Sequence, residues 1–565
     1  MDITEQNKIN NLINEQSKII TGKFIRKCPD NPEYKERLER ELKLIIEKKF
    51  VDYILKICDI LDLIKRVPHI IRGSSGSSLT CYLLGITDID PVKERISFAR
   101  FLNEYRNSMP DIDMDFPHNR RDKIFTQIFE KWDNVVRISN HVLYKQKSAV
   151  RQALKDMGIS GRVSKTKCNL NYFSDPDKKK ELGKRVNELK GQLKNYSLHC
   201  GGIIFYSDPK QITKDKIKDR QVSWNKVDTE RKGFFKIDIL SNRGLSQLFG
   251  IDSKPLLDYD FTDSKTIELL QSGKNIGLTF AESPAMRKIM TTFKPKSVQD
   301  IAICLAAIRP GASKSEADTI EDLNNNIVFD DDAIYYIKDL LKCDEDTADS
   351  IRRLYSKGDK VKIGQFELEL FASNPNLDID EISDKLVNLR KYSFCKSHAL
   401  SYAYLVWALA YQKAHNPQKF WQSTISNCSS MYRSWVHIRE AILSGVEYTG
   451  NKKLSNIGHF YKYGYWLGEN FIDPDMYVDI TNESKLTCVF RGLIACGRWY
   501  KRFNSKTKKY DLVTFITIGY KNSIYIDLTV EGWKSIKEKN VCSGEGKLLL
   551  SNGYASIKVA KIDYE

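Results

Sequence analysis

The residues of this chain best placed to do chemistry are Asp111, Asp113 and Asp115, which alternate with Ile112, Met114 and Phe116. That alternation predicts a strand with two unlike faces. Side chains two apart on a strand share a side at roughly 7 Å spacing, so the three carboxylates point together while the apolar residues point to a core. Like charges held that close repel. Divalent cations between them relieve the repulsion, and hard oxygen ligands suit magnesium, with manganese as the alternative. A calcium loop does not fit: counted from Asp111, an EF-hand needs Gly where Phe116 stands and Glu where Asp122 stands. A solvated edge strand whose charges discourage aggregation is the other reading.

Three further segments could position these carboxylates. An apolar run at His69 to Ile71 leads into Arg72-Gly73-Ser74-Ser75-Gly76-Ser77-Ser78 and then the helix-like run Leu79 to Ile86. This reads as strand, small-residue loop, helix, where close backbone approach and free amides at a helix start could cradle a triphosphate. It is not a Walker A motif, because the Gly-Lys-Ser/Thr ending is missing. Phe234 to Leu240 alternates again and puts Lys236 and Asp238 on one face, so Asp238 could complete a metal site with Asp111 and Asp113. A plain surface salt bridge is the alternative there. Helical patterns over 140–158, with Lys147, Arg151 and Lys155 four apart, and over 177–196 offer basic faces suited to a nucleic acid backbone, or simply to water.

Composition bounds the rest. Ninety Lys plus Arg against 73 Asp plus Glu leave a net charge of +17, the sign expected of a protein that binds polyanions. Hydrophobic residues at 41% exclude a disordered chain. The 12 Cys form no Cys-x-x-Cys pair and no apolar signal opens the chain, which predicts reduced thiols and an intracellular protein without membrane contact. The longest apolar run, Ala399 to Tyr411, is shorter than the roughly 20 residues of a membrane span and reads as a buried helix. Before it stand two landmarks, Arg309-Pro310-Gly311 and Lys396-Ser397-His398; in the second, Lys396 and His398 are cations that could meet phosphates at the helix start, with capping by Ser397 as the alternative. Residues 1–65 read as supporting helices, and 484–565 as strands of a small barrel with Arg498 to Phe503 offering charge and stacking together. Gln247-Leu248-Phe249 resembles a clamp-binding peptide faintly and reads as core.

Taken together these segments resemble the bacterial replicative DNA polymerase III alpha subunit, the family C polymerases. Arg72-Gly73-Ser74 is similar to the family's Gly-Arg-Gly-Ser run, and Leu84-Gly85-Ile86-Thr87-Asp88-Ile89-Asp90-Pro91 to its Leu-Gly-Ile-Thr-Asp-Leu-Asp-Pro. Arg100-Phe101-Leu102-Asn103 and Pro110 to Phe116 follow in order, then His199-Cys200-Gly201-Gly202, Lys236 to Leu240, Arg309-Pro310-Gly311, Lys396-Ser397-His398-Ala399 and Lys413 to Pro417. The resemblance covers about 35 to 430, with a weaker match to the family's OB domain beyond.

The resemblance implies an α+β multidomain chain: a polymerase-beta-like nucleotidyltransferase palm, helical thumb and fingers, and a C-terminal OB-like β-barrel. Its expected divisions are 1–135 (N-terminal helices and first part of the palm), 136–197 (thumb), 198–258 (second part of the palm), 259–430 (fingers), 431–483 (connector) and 484–565 (OB-like). Asp111, Asp113 and Asp238 become the catalytic carboxylates holding two magnesium ions, with Asp115 as a possible fourth. Arg72, Gly73, Ser74, Lys236, Arg309, Lys396 and His398 face the incoming nucleotide, and Lys147, Arg151 and Lys155 face DNA. The implied reaction is template-directed addition of deoxynucleoside triphosphates to a primer, with primer-template DNA as partner and a sliding clamp and a separate proofreading nuclease as further expected partners. The alternatives are repair or untemplated nucleotide addition, and an inactive DNA-binding scaffold. Departures from the family pattern are the missing PHP domain and exonuclease motif, serines in the phosphate loop, a much shortened helix-hairpin-helix region, and Cys395 in place of Asn. The compact, Lys/Asn/Ile-rich chain reads as a virus or phage gene.

Overall fold

The computed structural model describes residues 14–105, 112–159, 169–308, 329–373, 375, 378–389, 394–427, 430–446, 464–467, 470–471, 487–504, 509–520, 524–532, 536, 541–551 and 554–564. The chain forms two compact units, one made of Met1–Arg106, Asp115–Arg121 and Ser241–Glu565, the other of Asn107–Met114 and Asp122–Leu240. Asp111 and Arg309 lie outside the described residues.

The first unit opens with α1 (Pro32–Glu47) and α2 (Val51–Leu63). Pro32 follows an Asn31 cap whose side chain accepts from Glu33 N, a start that needs no amide from the proline. Leu42, Ile45 and Ile46 of α1, and Tyr53, Ile54, Ile57, Cys58 and Leu61 of α2, are buried, each set forming an apolar stripe at helical spacing. Strand β1 (Ile70–Arg72), a 3-10 turn over Ser74–Ser77 and α3 (Leu79–Leu83) then form the predicted strand, loop and helix, with α3 shorter than the apolar run. Gly73 makes the turn at φ +80°, a conformation that side chains with a Cβ rarely adopt. β1 is hydrogen-bonded to β2 (Ile112–Pro117), whose last three residues belong to this unit. Ile112, Met114 and Phe116 are all fully buried, as the alternation requires.

The second unit holds β3 (Val135–Leu143), α4 (Gln146–Asp156), α5 (Pro176–Leu189), β4 (Leu193–Phe205), β5 (Lys216–Lys218), β6 (Gln221–Val222) and β7 (Ile237–Asn242, whose last two residues fall in the first unit). The strand order from β2 onward is β2-β7-β4-β3-β6-β5. Gly202 of β4 stands opposite Asp238 of β7, and a Cβ on it would come within 2.7 Å of Ile138. Ala149, Val150, Ala153 and Leu154 of α4 pack with Leu182 and Val186 of α5. Both helices are shorter than their periodicity suggests. His141, Val142 and Leu143 are drawn into a ladder with Tyr196, Asn195 and Leu193, non-local pairing that overrides local helical pattern, and Gly191 turns the chain at φ +86°.

The first unit continues into a helical core in which α6 (Val298–Ala307) packs against α7 (Lys396–His415). Ala399, Leu400, Ala403, Leu405, Val406, Trp407, Ala408, Leu409 and Ala410 are all buried, so α7 is apolar round its whole circumference, as its run of hydrophobics predicts. Among the described residues no helix is long and apolar enough to cross a membrane. Gln247 is fully buried and donates to Gly277 O at 2.7 Å, so that segment is core and not an exposed peptide.

Beyond it lie β8 (Gly464–Leu467), β9 (Asn470–Phe471), β10 (Thr487–Asn504), β11 (Lys509–Tyr520), β12 (Ile524–Glu531), β13 (Val541–Ser551) and β14 (Tyr554–Tyr564). The last five close on one another in the order β10-β11-β12-β14-β13-β10, with β12 and β14 parallel. Phe490, Ile516, Ile518, Ile526, Leu528 and Ile557 fill the interior. Lys506 and Lys508, between β10 and β11, lie outside the described residues.

Asp527 of β12 is buried here opposite Thr517, whose hydroxyl donates to it at 2.6 Å. Burial pushes its carboxyl up to about 6 from 3.8, against the opposing pull of Thr517 and of the positive Arg287 and Arg498. Between those two values the folded chain holds a proton that the unfolded chain has lost, so stability at this position grows as pH falls from about 6 to about 4. The gain is on the order of 3 kcal/mol. Comparing the unfolding of wild type and Asp527→Asn across that window checks this: the variant should lack the gain, and equal pH slopes would refute it.

Candidate active site

In the second unit, β2 delivers Asp113 and its neighbour β7 delivers Asp238, two carboxylates far apart in sequence. Asp238 is buried. Its Oδ2 accepts from Lys236 Nζ in a short ion pair, both side chains being under one-tenth exposed. Lys236 and Asp238 are thus not the surface salt bridge that was one reading of their spacing. His199 of β4 brings Nδ1 to 3.6 Å from Asp238 Oδ1, yet this is not an ion pair. The same Nδ1 accepts the amides of Gly202 at 2.8 Å and Gly201 at 3.3 Å, so it carries no proton. Burial accordingly holds His199 below its ordinary pKa. Asp238 Oδ1 is left buried with no hydrogen-bond partner among the described residues. A buried carboxylate oxygen in that state is costly unless a cation meets it.

The observation bears on the metal expected from the sequence. Among the described residues no group of three His, Cys, Asp or Glu side chains is gathered to hold a metal ion. Asp111, the third expected ligand, is outside them. The donor chemistry of Asp113 and Asp238 nevertheless fits a hard divalent cation.

In the first unit, Asp115 has a different setting. It is 3% exposed, accepts from Asn242 Nδ2 at 3.0 Å and the Tyr402 hydroxyl at 3.2 Å, and forms an ion pair with Arg72, whose Nε is 3.0 Å from Oδ1. Burial raises its pKa in spite of the Arg72 charge and these two donors. Arg72, expected at the nucleotide, is here engaged with Asp115. Tyr402 stacks on Phe280 at 4.1 Å and meets His398 edge-on at 4.5 Å, and His398 in turn meets Phe394 at 5.2 Å. His398 thus belongs to an aromatic column along α7.

The small-residue loop corrects the sequence reading. The amides at the start of α3 are not free: the buried carboxylate of Glu41 accepts from Leu79 N at 2.9 Å, Thr80 N at 2.9 Å and Ser78 Oγ at 2.8 Å. The backbone that stays accessible is that of Gly73 and Ser74, both half-buried, whereas Ser75 to Ser78 are buried. Ser397 does not cap α7 as its position suggests. Its hydroxyl donates to Gly73 O at 3.0 Å, and Cys395 Sγ reaches the same oxygen at 3.3 Å. Lys396 N donates to Asp331 Oδ2 at 3.3 Å.

Lys147, Arg151 and Lys155 share the exposed face of α4, opposite its packed face. On β10, Arg498, Trp499, Tyr500, Lys501 and Arg502 are all exposed. Sequence reasoning passed over His199, Asn242, Tyr402 and Glu41 as site residues. Glu41 carried a signal, since it falls on the apolar stripe of α1 beside Leu38, Leu42 and Ile45, where a carboxylate needs a partner.

Residues 7–241 match the family model of the bacterial DNA polymerase III alpha NTPase domain, and residues 246–374 that of the bacterial DNA polymerase III alpha subunit finger domain. The chain is 30% identical over 466 residues to the DNA polymerase III subunit alpha of Ureaplasma parvum, covering 71% of this chain and 48% of that protein. The subunit of the same name from Aquifex aeolicus is 27% identical over 74% of this chain and 44% of its own length, and that from Thermotoga maritima 27% over 70% and 47%. This chain thus spans about half the length of the curated relatives it matches.

Proposed function

We propose, for a chain that belongs to the bacterial DNA polymerase III alpha family, template-directed addition of deoxynucleotides to a primer 3′ end, in the service of DNA replication. The observation that carries this reading is Asp238 on β7, its Oδ1 buried and without a hydrogen-bond partner among the described residues, on the strand next to Asp113. In this reading Asp111, Asp113 and Asp238 would hold two magnesium ions, which when bound would supply a lowered pKa for the primer hydroxyl and charge stabilisation for the departing pyrophosphate.

The chain's own residues supply position and charge. Lys236, held against Asp238, keeps its cation in the buried site, where positive charge favours phosphoryl oxygens. His199 stays neutral and turns its unprotonated nitrogen to the Gly201 and Gly202 amides, so it does not compete for Asp238. Gly73 and Ser74 present backbone to the triphosphate, with Arg309, Lys396 and His398 as further nucleotide contacts. The exposed cations of α4 bind the DNA backbone, which makes primer-template affinity fall steeply with salt. The closed five-strand order of β10 to β14, with its exposed Trp499 and Tyr500 among cations, supports an OB-like barrel for single strands. A palm around β2 and β7, a thumb around α4 and α5 and fingers around α6 and α7 complete the proposed architecture; the sliding clamp and separate proofreading nuclease remain proposed partners.

Primer extension tests the proposal. Purified chain with magnesium, four deoxynucleoside triphosphates and a defined primer-template should give product whose sequence follows the template. Product indifferent to the template would support untemplated addition instead. Tight DNA binding without product would support the scaffold reading.

A further inference from the structure

We infer that Glu41 is a positioning residue for the incoming triphosphate: it locks the exit of the small-residue loop and thereby confines phosphate binding to Gly73 and Ser74. The inference rests on the polymerase reading for its ligand and on geometry for the rest.

Glu41 is fully buried in α1, where an unpaired carboxylate would be untenable. Four donors meet it. Arg37 Nε at 2.7 Å and Leu79 N at 2.9 Å reach Oε1, while Ser78 Oγ at 2.8 Å and Thr80 N at 2.9 Å reach Oε2. Charge-assisted bonds of this number and length hold α3 as a bound anion would. Arg37 extends the grip, donating to Ser77 O at 2.8 Å and Ile96 O at 3.1 Å with its guanidinium 5.5 Å from the centre of the Phe98 ring. The other end of the loop is held from α7, through Ser397 and Cys395 on Gly73 O. Between the two clamps there is no slack: a Cβ on Gly76 would lie 2.7 Å from Ser397 Cβ. The internal carboxylate therefore occupies the very amides that a phosphate would seek, and leaves the turn at Gly73 as the accessible backbone.

The test uses the full chain with Glu41→Ala and Glu41→Gln. Misplacement of a phosphate-holding turn by about 1 Å can cost on the order of 100-fold in rate. Glu41→Ala should raise the deoxynucleotide KM tenfold or more, with primer-template affinity unchanged, and formate, filling the space of the lost carboxylate, should restore much of the loss. Glu41→Gln keeps one acceptor but turns an amide against donors, and should fall between; it carries the comparison if the alanine variant does not fold. Hydrogen exchange read over residues 74–80 should quicken in Glu41→Ala and slow again with formate. A KM and an exchange rate that stay at wild-type values, or a KM defect that formate leaves untouched, overturn the inference. Wild-type chain that extends no primer overturns the polymerase reading instead, and exchange then decides alone whether Glu41 holds the loop.

Discussion

Asp113→Asn should abolish primer extension, by at least about a thousandfold, while binding of primer-template DNA changes little. The scale is that seen when a group acting directly on developing charge is removed. The substitution keeps the shape of the side chain and takes away only its charge, on a strand whose opposite face is locked in the core by Ile112, Met114 and Phe116. Removing it relieves repulsion toward Asp238 on the neighbouring strand, and a melting curve reads the net effect on the fold. Single-turnover extension beside a DNA-binding titration and a melting curve separates the possibilities. Extension comparable to wild type removes Asp113 from the reaction. Loss of DNA binding in parallel with activity makes it a DNA contact, and loss of folding makes it structural.

How far this was legible in the sequence depends on the range of the interaction. The alternation around Asp113 is local, and Ile112, Met114 and Phe116 are buried as it requires, whereas Asp115, on the other face, is buried too because non-local partners cover it. The buried helix over Ala399 to Tyr411 is equally plain, because a run interrupted only by Ser401 has no other place to go. The ends of α4 and α5 were not plain: the pairing of His141 with Tyr196 depends on residues more than 50 positions apart, and no periodicity within either segment records it. The small-residue loop is only partly legible for the same reason. Its composition predicts a turn into a helix, yet the carboxylate that fills the helix start comes from Glu41, a single residue on a helix whose pattern reads as support.

Asp115 makes the sharpest contrast with Asp113, two residues away on the same strand. Asp115→Ala should destabilise the chain strongly, by about 3–5 kcal/mol, the cost typical of removing one partner from a buried ion pair. The reason is the company it keeps: Asn242 and Tyr402 donate to it and Arg72 pairs with it at 3.0 Å, so its loss strands two donors and removes the partner of a cation. Asp115→Asn does not escape the penalty. Asn242 is fixed as a donor because its own oxygen accepts Leu245 N at 3.2 Å, and Arg72 can only donate, so whichever way the new amide is turned its nitrogen meets a donor on one side. A smaller loss, on the order of 1–3 kcal/mol, is expected there. Denaturant unfolding followed by aromatic fluorescence reads both, with Asp113→Asn as the control. A full-strength fold in Asp115→Ala, combined with loss of extension, would transfer Asp115 to the catalytic set; a weakened fold in Asp115→Ala but not in Asp113→Asn assigns one carboxylate of this strand to chemistry and the other to holding Arg72 and Tyr402 in place.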